Sequence, residues 1–381
     1  MTQSVVILGS GQAGVSVARE LRKLNTDIEL TIISTDDGGF YAKPTLSNAL
    51  AAGKAPTQLL LSSADKLAEQ LKARILAHTT VTAIDTQAKQ IHTSIGPISY
   101  SALVLANGAQ PIRLPLTGSG AADVLSVNNL DDYAIFRNTL QPGMHVAILG
   151  AGLIGCEFAN DLRIAEHPVS VFDLAPQPLG RLLPPQAASF FAEKLNTAGV
   201  QFHFGTSITN VDSTAEGYAL TTTDGQQFKA DLVLSAIGLK PATELAAAAG
   251  LKTHRGIVVD RHLQTSVADV YALGDCAEVE GLVLPYILPI MNAARALAKT
   301  LAGDVTAVSY PAMPVVVKTP ACPTVVSPPA IGAGGSWQEE VIEGGVRALY
   351  KAADGSLLGC ALLGEASKER QSIAAQLPAV L

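Results

Sequence analysis

Residues 5–14 read VVILGSGQAG and residues 146–155 read VAILGAGLIG, so the chain contains one motif twice. In both copies an apolar run of strand length meets the pattern G-x-G-x-x-G, and amphipathic residues follow as far as Leu21 and Leu162. When residues 5–21 are aligned with residues 146–162, eight of the seventeen positions are identical. One such turn is weak evidence, because glycine-rich strand-to-helix turns occur in many α/β proteins. Two copies predict two dinucleotide sites and electron transfer from one to the other.

Each glycine of the pattern has a physical role. The first permits a tight turn out of the strand, the second lets the backbone approach a pyrophosphate, and the third lets the helix pack closely on the sheet. The start of the helix offers free N–H groups and the positive end of its dipole to phosphates. The alternative for either copy is a structural turn without a ligand. The predicted binding residues are Gly9, Ser10, Gly11, Gln12, Ala13 and Gly14 in the first copy, and Gly150, Gly152, Leu153, Ile154 and Gly155 in the second.

The composition is that of a globular chain with a large core. Hydrophobic residues make up 48% of the 381 residues, charged residues make up 15%, and the formal net charge is −7. A basic surface is needed for non-specific binding to nucleic acid or anionic membranes, so we expect neither partner. No basic region and apolar core precede the first strand, which predicts no signal peptide. The longest mostly apolar stretch, residues 282–294, is too short to cross a bilayer, and we expect a cytosolic protein without membrane insertion.

Metal and hydrolase chemistry have no support in the sequence. The four cysteines, Cys156, Cys276, Cys322 and Cys360, are scattered, and neither they nor the seven histidines show zinc-site spacing. The patterns G-x-S-x-G and H-E-x-x-H do not occur. We therefore predict no metal site, and interpret the cysteines as small reduced core residues.

The fold class follows from strands that alternate with helices. This alternation predicts α/β architecture with two Rossmann-like, doubly wound parallel sheets. Strands are expected at 28–34, 81–84, 102–105, 146–149, 170–173, 232–236 and 270–273, and helices after both glycine turns and at 64–72, 187–198 and 291–301. After residue 306, proline-rich and glycine-rich segments precede strand-like runs at 346–350 and 357–363, which predict a small α/β C-terminal domain.

Acidic residues near the second strand of each unit suggest which nucleotide binds. Asp173 ends the strand after the second turn, where a carboxylate can accept a hydrogen bond from the ribose 2′-OH and repel a 2′-phosphate. The second site should therefore prefer NADH, and a solvated loop acid is the alternative. After the first turn the chain reads Ser34-Thr35-Asp36, so its acid comes one or two residues late. Asp36 is the candidate there, and a merely solvated acidic residue is the alternative.

Four further segments resemble the flavoprotein disulfide reductases that use two dinucleotides, and particularly the members that reduce rubredoxin. Residues 40–47 (FYAKPTLS) resemble the family's P-Y-x-R-P-x-L-S segment, with Lys43 in place of arginine, and residues 103–109 (LVLANGA) resemble its A-T-G-A turn. Residues 235–241 (SAIGLKP) and 271–275 (YALGD) match its A-x-G-x-x-P and L-G-D segments. The resemblance covers essentially the whole chain.

This resemblance implies an FAD domain (1–112 and 242–305), an inserted NADH domain (113–241) and a C-terminal domain (306–381). It implies FAD at the first turn, completed by Asp275, and NADH as co-substrate at the second. It also implies that the N-terminus of a helix starting near 289–291 points at the flavin. The residues it adds to the cofactor sites are Ser34, Thr35, Lys43, Pro44, Val81, Ala106, Gly108, Gly238, Gly274, Asp275, Ile287 and Lys318.

Two charged residues are candidates for the chemistry itself. The resemblance places Glu157 beside the nicotinamide and the flavin, and the alternative is an acid that stabilises the dipole of its helix. If Glu157 is catalytic, replacing it by alanine should slow reduction of the flavin. The resemblance also brings Lys318 toward the flavin, and an ordinary surface lysine is the alternative.

The lack of a cysteine in residues 40–52 decides how electrons leave. Disulfide-reducing relatives carry a cysteine pair in this region, and oxidase or peroxidase relatives carry one cysteine. Without a thiol relay, electrons must leave from the flavin, to a redox protein or to oxygen. The resemblance implies rubredoxin as partner, in a route that feeds an alkane hydroxylase. The alternatives are a ferredoxin or flavorubredoxin reductase, an NADH oxidase, and an NADH-sensing flavoprotein without fast turnover. We expect a monomer.

Overall fold

The computed structural model describes residues 3–381. Its helices alternate with strands over the first 300 residues, as the sequence predicts. The α-helices of the described chain are α1 (Gln12–Leu24), α2 (Pro56–Leu59), α3 (Ala64–Leu71), α4 (Leu130–Thr139), α5 (Leu153–Ile164), α6 (Pro185–Thr197), α7 (Glu244–Ala248), α8 (Ile287–Leu301) and α9 (Arg370–Ala374). Short 3-10 helices lie at Lys43–Asn48, Ala121–Asp123, Gly274–Cys276 and Glu365–Glu369.

The first glycine turn leaves a parallel sheet of five strands. In spatial order the strands are Val270–Ala272, Ala102–Leu105, Ser4–Leu8, Glu29–Ile33 and Arg74–Leu76. The central strand that leads into the turn pairs with both neighbours, with Val5 opposite Leu30 on one side and Ala102 on the other. Its residues are buried on both faces, which explains the uninterrupted apolar run in the sequence. We call this the first sheet.

The second glycine turn leaves a parallel sheet of four strands. These strands are Val200–Phe204, Val169–Asp173, Val146–Leu149 and Leu232–Ser235 in spatial order. Val146 lies opposite Val169 and Leu232, so the strand before the turn is again central. This second sheet has the strand order of the first without a counterpart of Val270–Ala272, and the repeated motif occupies the same place in each.

Each parallel sheet carries a three-stranded antiparallel sheet that the sequence did not predict. The strands are Val81–Asp85, Gln90–Thr93 and Gly96–Ser99 in one case, and Ile208–Thr214, Gly217–Thr222 and Gln227–Ala230 in the other. The strand expected at 81–84 is present, but the expectation that it joins a parallel sheet is wrong. The links to the following strands are tight turns of a few residues, and parallel pairing needs a longer crossover.

Three strand pairs join parts of the chain that are distant in sequence. Ala109–Pro111 pairs antiparallel with Leu239–Pro241, so the chain enters and leaves the second sheet side by side. The other two pairs are Phe40–Tyr41 with Leu60–Ser62 and Ile257–Val259 with Ala277–Val279.

The C-terminal segment forms a five-stranded antiparallel sheet. In spatial order its strands are Val315–Val317, Thr324–Ser327, Leu357–Gly364, Gly345–Lys351 and Ser336–Ile342. The two runs noticed in the sequence are the third and fourth of these strands. The first two strands were missed because the prolines around them suggested irregular chain. With α9, the sheet forms the predicted small α/β element.

The architecture confirms the predicted fold class of two Rossmann-like sheets and a small C-terminal domain. The domain boundaries stay predictions. The helix expected to start near 289–291 starts earlier, at Ile287, because Pro289 sits in its first turn, where its missing N–H costs nothing. None of the helices in residues 3–381 combines the length and apolar character that a bilayer crossing requires.

Candidate functional site

The two glycine turns have the same tight interior and the same open side. A side-chain carbon at Gly14 would lie 2.0 Å from the carbonyl oxygen of Gly9, and one at Gly155 would lie 1.9 Å from that of Gly150. Only glycine permits this approach. A carbon at Gly11 or at Gly152 would meet nothing within 4 Å. The middle glycine of each turn therefore faces open space.

The open side of each turn is where a helix begins. Gly11 and Gly152 precede α1 and α5, and no side chain caps either helix. The first N–H groups of these helices are thus left for a ligand, and the helix dipoles favour a negative one. α1 has 13 residues and α5 has 12, so both dipoles are well developed. The two turns fit the pyrophosphates of two dinucleotides.

Asp173 lies directly against the second turn. One carboxylate oxygen accepts a hydrogen bond from the N–H of Ala151, inside the glycine pattern, at 2.6 Å, and the other accepts one from the N–H of Ala175 at 2.7 Å. The carboxylate is therefore fixed at the end of its strand beside the start of α5. This is the position that the ribose prediction requires.

Asp36 reaches the first turn through a small serine network. The hydroxyls of Ser10 and Ser34 lie 2.9 Å apart, and both donate to the Asp36 carboxylate. The N–H of Gly38 also donates to this carboxylate, at 2.9 Å. Asp36 therefore folds back to the glycine turn although it comes late in the sequence. Thr35, between Ser34 and Asp36, is exposed and takes no part in the network.

The L-G-D segment, far along the chain, packs against the first turn. A side chain at Gly274 would come within 2.8 Å of the Ala13 side chain, so the L-G-D segment packs against α1. Burial raises the pKa of Asp275, and the positive charge of Lys43 lowers it. Burial likewise lowers the pKa of Lys43, and Asp275 raises it. Each group favours the charged form of the other, so the structure joins two residues that the sequence predicted separately.

Helix α8 lies beside the same turn. The Gln12 amide donates to the sulfur of Met291 at 3.6 Å, and the Ser16 hydroxyl does so at 3.4 Å. Ile287 is the first residue of α8 and is partly exposed, with 37% of its surface accessible. The uncapped start of α8 therefore lies near the first turn, and its orientation toward the flavin stays a prediction.

Glu157 brings three parts of the chain together. Its side chain is 1% exposed, and it accepts hydrogen bonds from the Ser47 hydroxyl at 2.6 Å and from the N–H of Lys318 at 2.9 Å. The ammonium of Lys318 also forms an ion pair with it. We call Ser47, Glu157 and Lys318 the three-way junction. The alternative for Lys318, an ordinary surface lysine, does not describe it, because its ammonium is held at a buried carboxylate.

The other predicted residues line the edges of the two sheets. The carbonyl of Ala106 would lie 2.4 Å from a side-chain carbon at Gly9, and the Gly108 carbonyl accepts from the N–H of Ala242 at 3.0 Å. Pro44 is in the 3-10 helix that carries Ser47. Val81 begins the strand Val81–Asp85, and Gly238 directly precedes the strand Leu239–Pro241, where its carbonyl accepts a hydrogen bond from the N–H of Ile112 at 3.0 Å.

Sequence reasoning missed Ser47, Asn160 and Asp161. Asn160 and Asp161 are 2% and 3% exposed, and both accept hydrogen bonds from the backbone of other parts of the chain. The available signal in the sequence was the presence of two polar residues on the inner face of α5, which otherwise packs apolar residues.

No thiol is placed to carry electrons. All four cysteines are buried and unpaired. Burial raises the pKa of each thiol, to about 11 for Cys276 and Cys360. Protonated thiols are poor nucleophiles. Within residues 3–381, no group of His, Cys, Asp and Glu side chains could hold a metal ion.

Comparison with known proteins assigns the chain to a family. Residues 3–300 match the family model described as pyridine nucleotide-disulphide oxidoreductase, and residues 307–377 match that of a rubredoxin binding C-terminal domain. The chain is 48% identical over 387 residues to the rubredoxin-NAD(+) reductase of Acinetobacter baylyi, with 98% of each chain covered. It is 37% identical over 379 residues to the nitric oxide reductase FlRd-NAD(+) reductase of Aeromonas salmonicida, covering 99% of this chain and 97% of the relative.

A solved structure gives the same result. The ferredoxin reductase of Rhodopseudomonas palustris superposes with a TM-score of 0.89 at 28% identity, covering 99% of this chain and 96% of that chain. These matches confirm the resemblance, and with it FAD and NADH as the nucleotides. The chain belongs to the pyridine nucleotide-disulphide oxidoreductase family.

Proposed function

We propose that this protein is an NADH-dependent reductase of rubredoxin. FAD occupies the turn at residues 9–14 and NADH occupies the turn at residues 150–155. The observation that carries the proposal is the three-way junction. There Lys318, which lies in the segment that matches a rubredoxin-binding domain, is paired with Glu157 two residues after the second glycine turn.

The chain supplies position and charge, and the nucleotides supply the chemistry. When bound, FAD accepts a hydride from NADH and passes electrons singly to an iron protein. Glu157 and Lys318 neutralise each other at the meeting point of the two nucleotide sites, so neither a lone anion nor a lone cation is left buried there. Asp173 selects NADH over NADPH by its negative charge at the ribose.

Electrons leave without a thiol intermediate. Residues 40–52 contain no cysteine, and their 3-10 helix instead places Ser47 against Glu157. A serine hydroxyl has no redox chemistry under these conditions, so the segment that carries redox thiols in disulfide reductases positions side chains here and carries no electrons. This supports a soluble electron carrier as acceptor rather than a disulfide. An alkane hydroxylase downstream of rubredoxin and a cytosolic location, where NADH is produced, belong to the same proposal.

A second candidate acceptor is the flavorubredoxin of a nitric oxide reductase system. The observation in its favour is the 37% identity to a nitric oxide reductase FlRd-NAD(+) reductase over nearly the whole chain. The greater identity to a rubredoxin-NAD(+) reductase, 48%, favours free rubredoxin. An NADH oxidase and an NADH-sensing flavoprotein remain as outcomes of the experiment below.

The experiment is anaerobic reduction of the FAD-loaded protein by NADH, followed by rapid mixing with oxidised rubredoxin, flavorubredoxin or ferredoxin. Rubredoxin should reoxidise the flavin fastest, in two one-electron steps. Faster reoxidation by another carrier would change the acceptor, and faster reoxidation by oxygen would favour an oxidase. Slow reoxidation by every acceptor would favour a sensor. The rubredoxin rate should fall as salt is added, because small electron carriers meet their reductases through transient, charge-guided contacts.

A further inference from the structure

Three buried polar residues occupy one face of α5. Glu157, Asn160 and Asp161 are spaced three and four positions apart, which places their side chains next to one another on a helix. They are 1%, 2% and 3% exposed. α5 follows the second glycine turn directly, so this polar face belongs to the helix whose N-terminus faces the predicted nucleotide site.

Each of the three side chains holds a segment from outside the second sheet. Glu157 holds Ser47 and Lys318 at the three-way junction. Asn160 accepts from the N–H of Ala321 at 3.0 Å. Asp161 accepts from the N–H of Leu50 at 2.9 Å with one oxygen, and from the N–H of Ala51 at 3.1 Å with the other.

The two hydrogen bonds of Asp161 are made to the C-terminal end of the segment that carries Lys43 and Ser47. This segment, residues 43–51, begins with a 3-10 helix at Lys43 and turns at Leu50. Among residues 3–381, Asp161 has no ion-pair partner, so its carboxylate is held by backbone N–H groups alone. Keeping an unpaired carboxylate in the interior is costly, and an apolar residue would pack the same helix face without that cost.

Both oxygens of Asp161 are in use, which restricts the residue type. An asparagine has one acceptor oxygen and one NH₂ group, so it would leave one of the two N–H groups facing another donor. A carboxylate can satisfy both at once. The geometry therefore explains why an acid, rather than an amide, occupies position 161.

We propose that Asp161 is a positioning residue for the flavin side of the reaction. It fixes segment 43–51 against α5, and thereby sets the places of Lys43 beside Asp275 and of Ser47 beside Glu157. It does not contact the second glycine turn or Asp173, so NADH binding does not depend on it. This inference rests on the proposed FAD and NADH sites and is independent of which acceptor takes the electrons.

The test compares the FAD-loaded wild type with Asp161→Asn. The variant should slow flavin reduction by NADH about tenfold, as expected when a reacting group is misplaced by a fraction of an ångström, with the Kd for NADH unchanged. The flavin circular dichroism should change, and the midpoint potential should become more negative, because Lys43 is no longer held where its charge favours reduced flavin. Asp161→Glu, which keeps both acceptor oxygens, should recover part of each effect.

The matched control is Asp231→Asn. Asp231 also accepts a backbone N–H bond, from His145 at 2.7 Å, but at the end of the second sheet away from the glycine turn. It should leave the flavin spectrum and potential unchanged. If Asp161→Asn keeps the wild-type spectrum, potential and reduction rate and lowers only the melting temperature, Asp161 is structural and the inference is wrong.

A second measurement does not require a folded variant. Hydrogen–deuterium exchange of the wild-type holoprotein should show the amide of Ala51 protected although its residue is exposed. Exchange at the rate of an open loop would overturn the inference. Failure of wild type to reduce rubredoxin would instead overturn the proposed acceptor and leave these results standing.

Discussion

Helices α1 and α5 follow the same glycine pattern, but they are joined to the rest of the molecule in different ways. Helix α1 packs through Ala13 against Gly274 of the L-G-D segment, and its Gln12 and Ser16 reach Met291 of α8. Helix α5 instead presents Glu157, Asn160 and Asp161 to two other parts of the chain. The equivalent of buried Ala13 in the second turn is Ile154, which is half-buried.

We expect this difference to separate a resident cofactor at the first turn from an exchanging nucleotide at the second. The first turn is packed against the L-G-D segment, more than 250 positions further along the chain, so two distant parts of the chain contribute to it. The second turn is instead bonded to Asp173 of its own sheet, the predicted selecting acid, through the N–H of Ala151. The same backbone turn can therefore serve either purpose, and the surroundings decide which.

The largest effect should come from adding a methyl group to the third glycine of either turn. Gly14→Ala would place a carbon 2.0 Å from the Gly9 carbonyl oxygen, and Gly155→Ala would place one 1.9 Å from that of Gly150. Overpacking against backbone forces the turn to move. Gly14→Ala should lose FAD during purification, whereas Gly155→Ala should keep FAD and lose saturation by NADH. Flavin absorbance per protein and NADH titration measure the two effects; loss of FAD from both variants would contradict the separation of the sites.

The buried polar face of α5 should give a pH dependence of stability that α1 lacks. Burial raises the pKa of Asp161 from 3.8 to about 6 in the folded protein, against the effect of its two N–H bonds. Between these values the folded chain binds a proton that the unfolded chain has released. The free energy of unfolding should therefore fall as pH rises from about 4 to about 6, by roughly 3 kcal/mol for this group.

Chemical denaturation of the wild type and Asp161→Asn across this range measures the contribution. The free energy of unfolding of the variant minus that of the wild type should become more positive as pH rises, because asparagine does not titrate. Neighbouring Tyr133 has its pKa raised to about 12 by burial, so it does not titrate in the same range. Asp212→Asn is the control, because hydrogen bonds lower the pKa of that exposed carboxylate. For this variant, the free energy of unfolding relative to the wild type should become more negative as pH rises. A constant difference for Asp161→Asn would show that the carboxylate is not desolvated.

Asp173→Ala should affect only the second site. Loss of a charge-assisted hydrogen bond to the ribose should raise the KM for NADH by about tenfold to a hundredfold, which corresponds to roughly 1.5–3 kcal/mol. The preference for NADH over NADPH should fall with it, because the repulsion of a 2′-phosphate is removed. Steady-state kinetics with both nucleotides measures this, and an unchanged preference would remove Asp173 from the site.

Asp36→Ala is the matching change at the first site and should have the smallest effect. Its carboxylate is already bonded to Ser10, Ser34 and Gly38, and the uncapped N–H groups at the start of α1 remain for the nucleotide. We expect FAD to dissociate a few times faster, on the order of 1 kcal/mol, without a change in the KM for NADH. Fluorescence of released flavin after dilution measures the rate. An effect as large as that of Asp173→Ala would mean that the two turns hold their nucleotides alike.

Local patterns were enough to predict the two parallel sheets. The strand Val146–Leu149 and the helix after it follow from periodicity and from glycines that have a steric reason, and both are where the sequence placed them. The antiparallel strands at 81–99 were not predicted as such. Their half-exposed alternation is compatible with either pairing, and only the short connections in the fold decide it.

The candidate site was predictable only in part. Glu157 and Lys318 were each singled out, but nothing in the sequence shows that residues 161 positions apart form an ion pair. The only signal for Asp161 was its polar character on the inner face of α5, and its partners could not be predicted because they are backbone N–H groups, which every residue type but proline carries. Contacts of this kind depend on how segment 43–51, α5 and the segment that carries Lys318 pack together in the folded chain.

Because Ala109–Pro111 pairs with Leu239–Pro241, we expect that the portion of the chain between these strands can be replaced as one unit. Its two ends leave the first sheet next to each other, so a replacement needs only matching ends about one strand spacing apart. A homologous portion that selects NADPH could be grafted at these two strands without cutting the first sheet. The graft would have to bring equivalents of Glu157, Asn160 and Asp161, since these side chains reach beyond its own boundary.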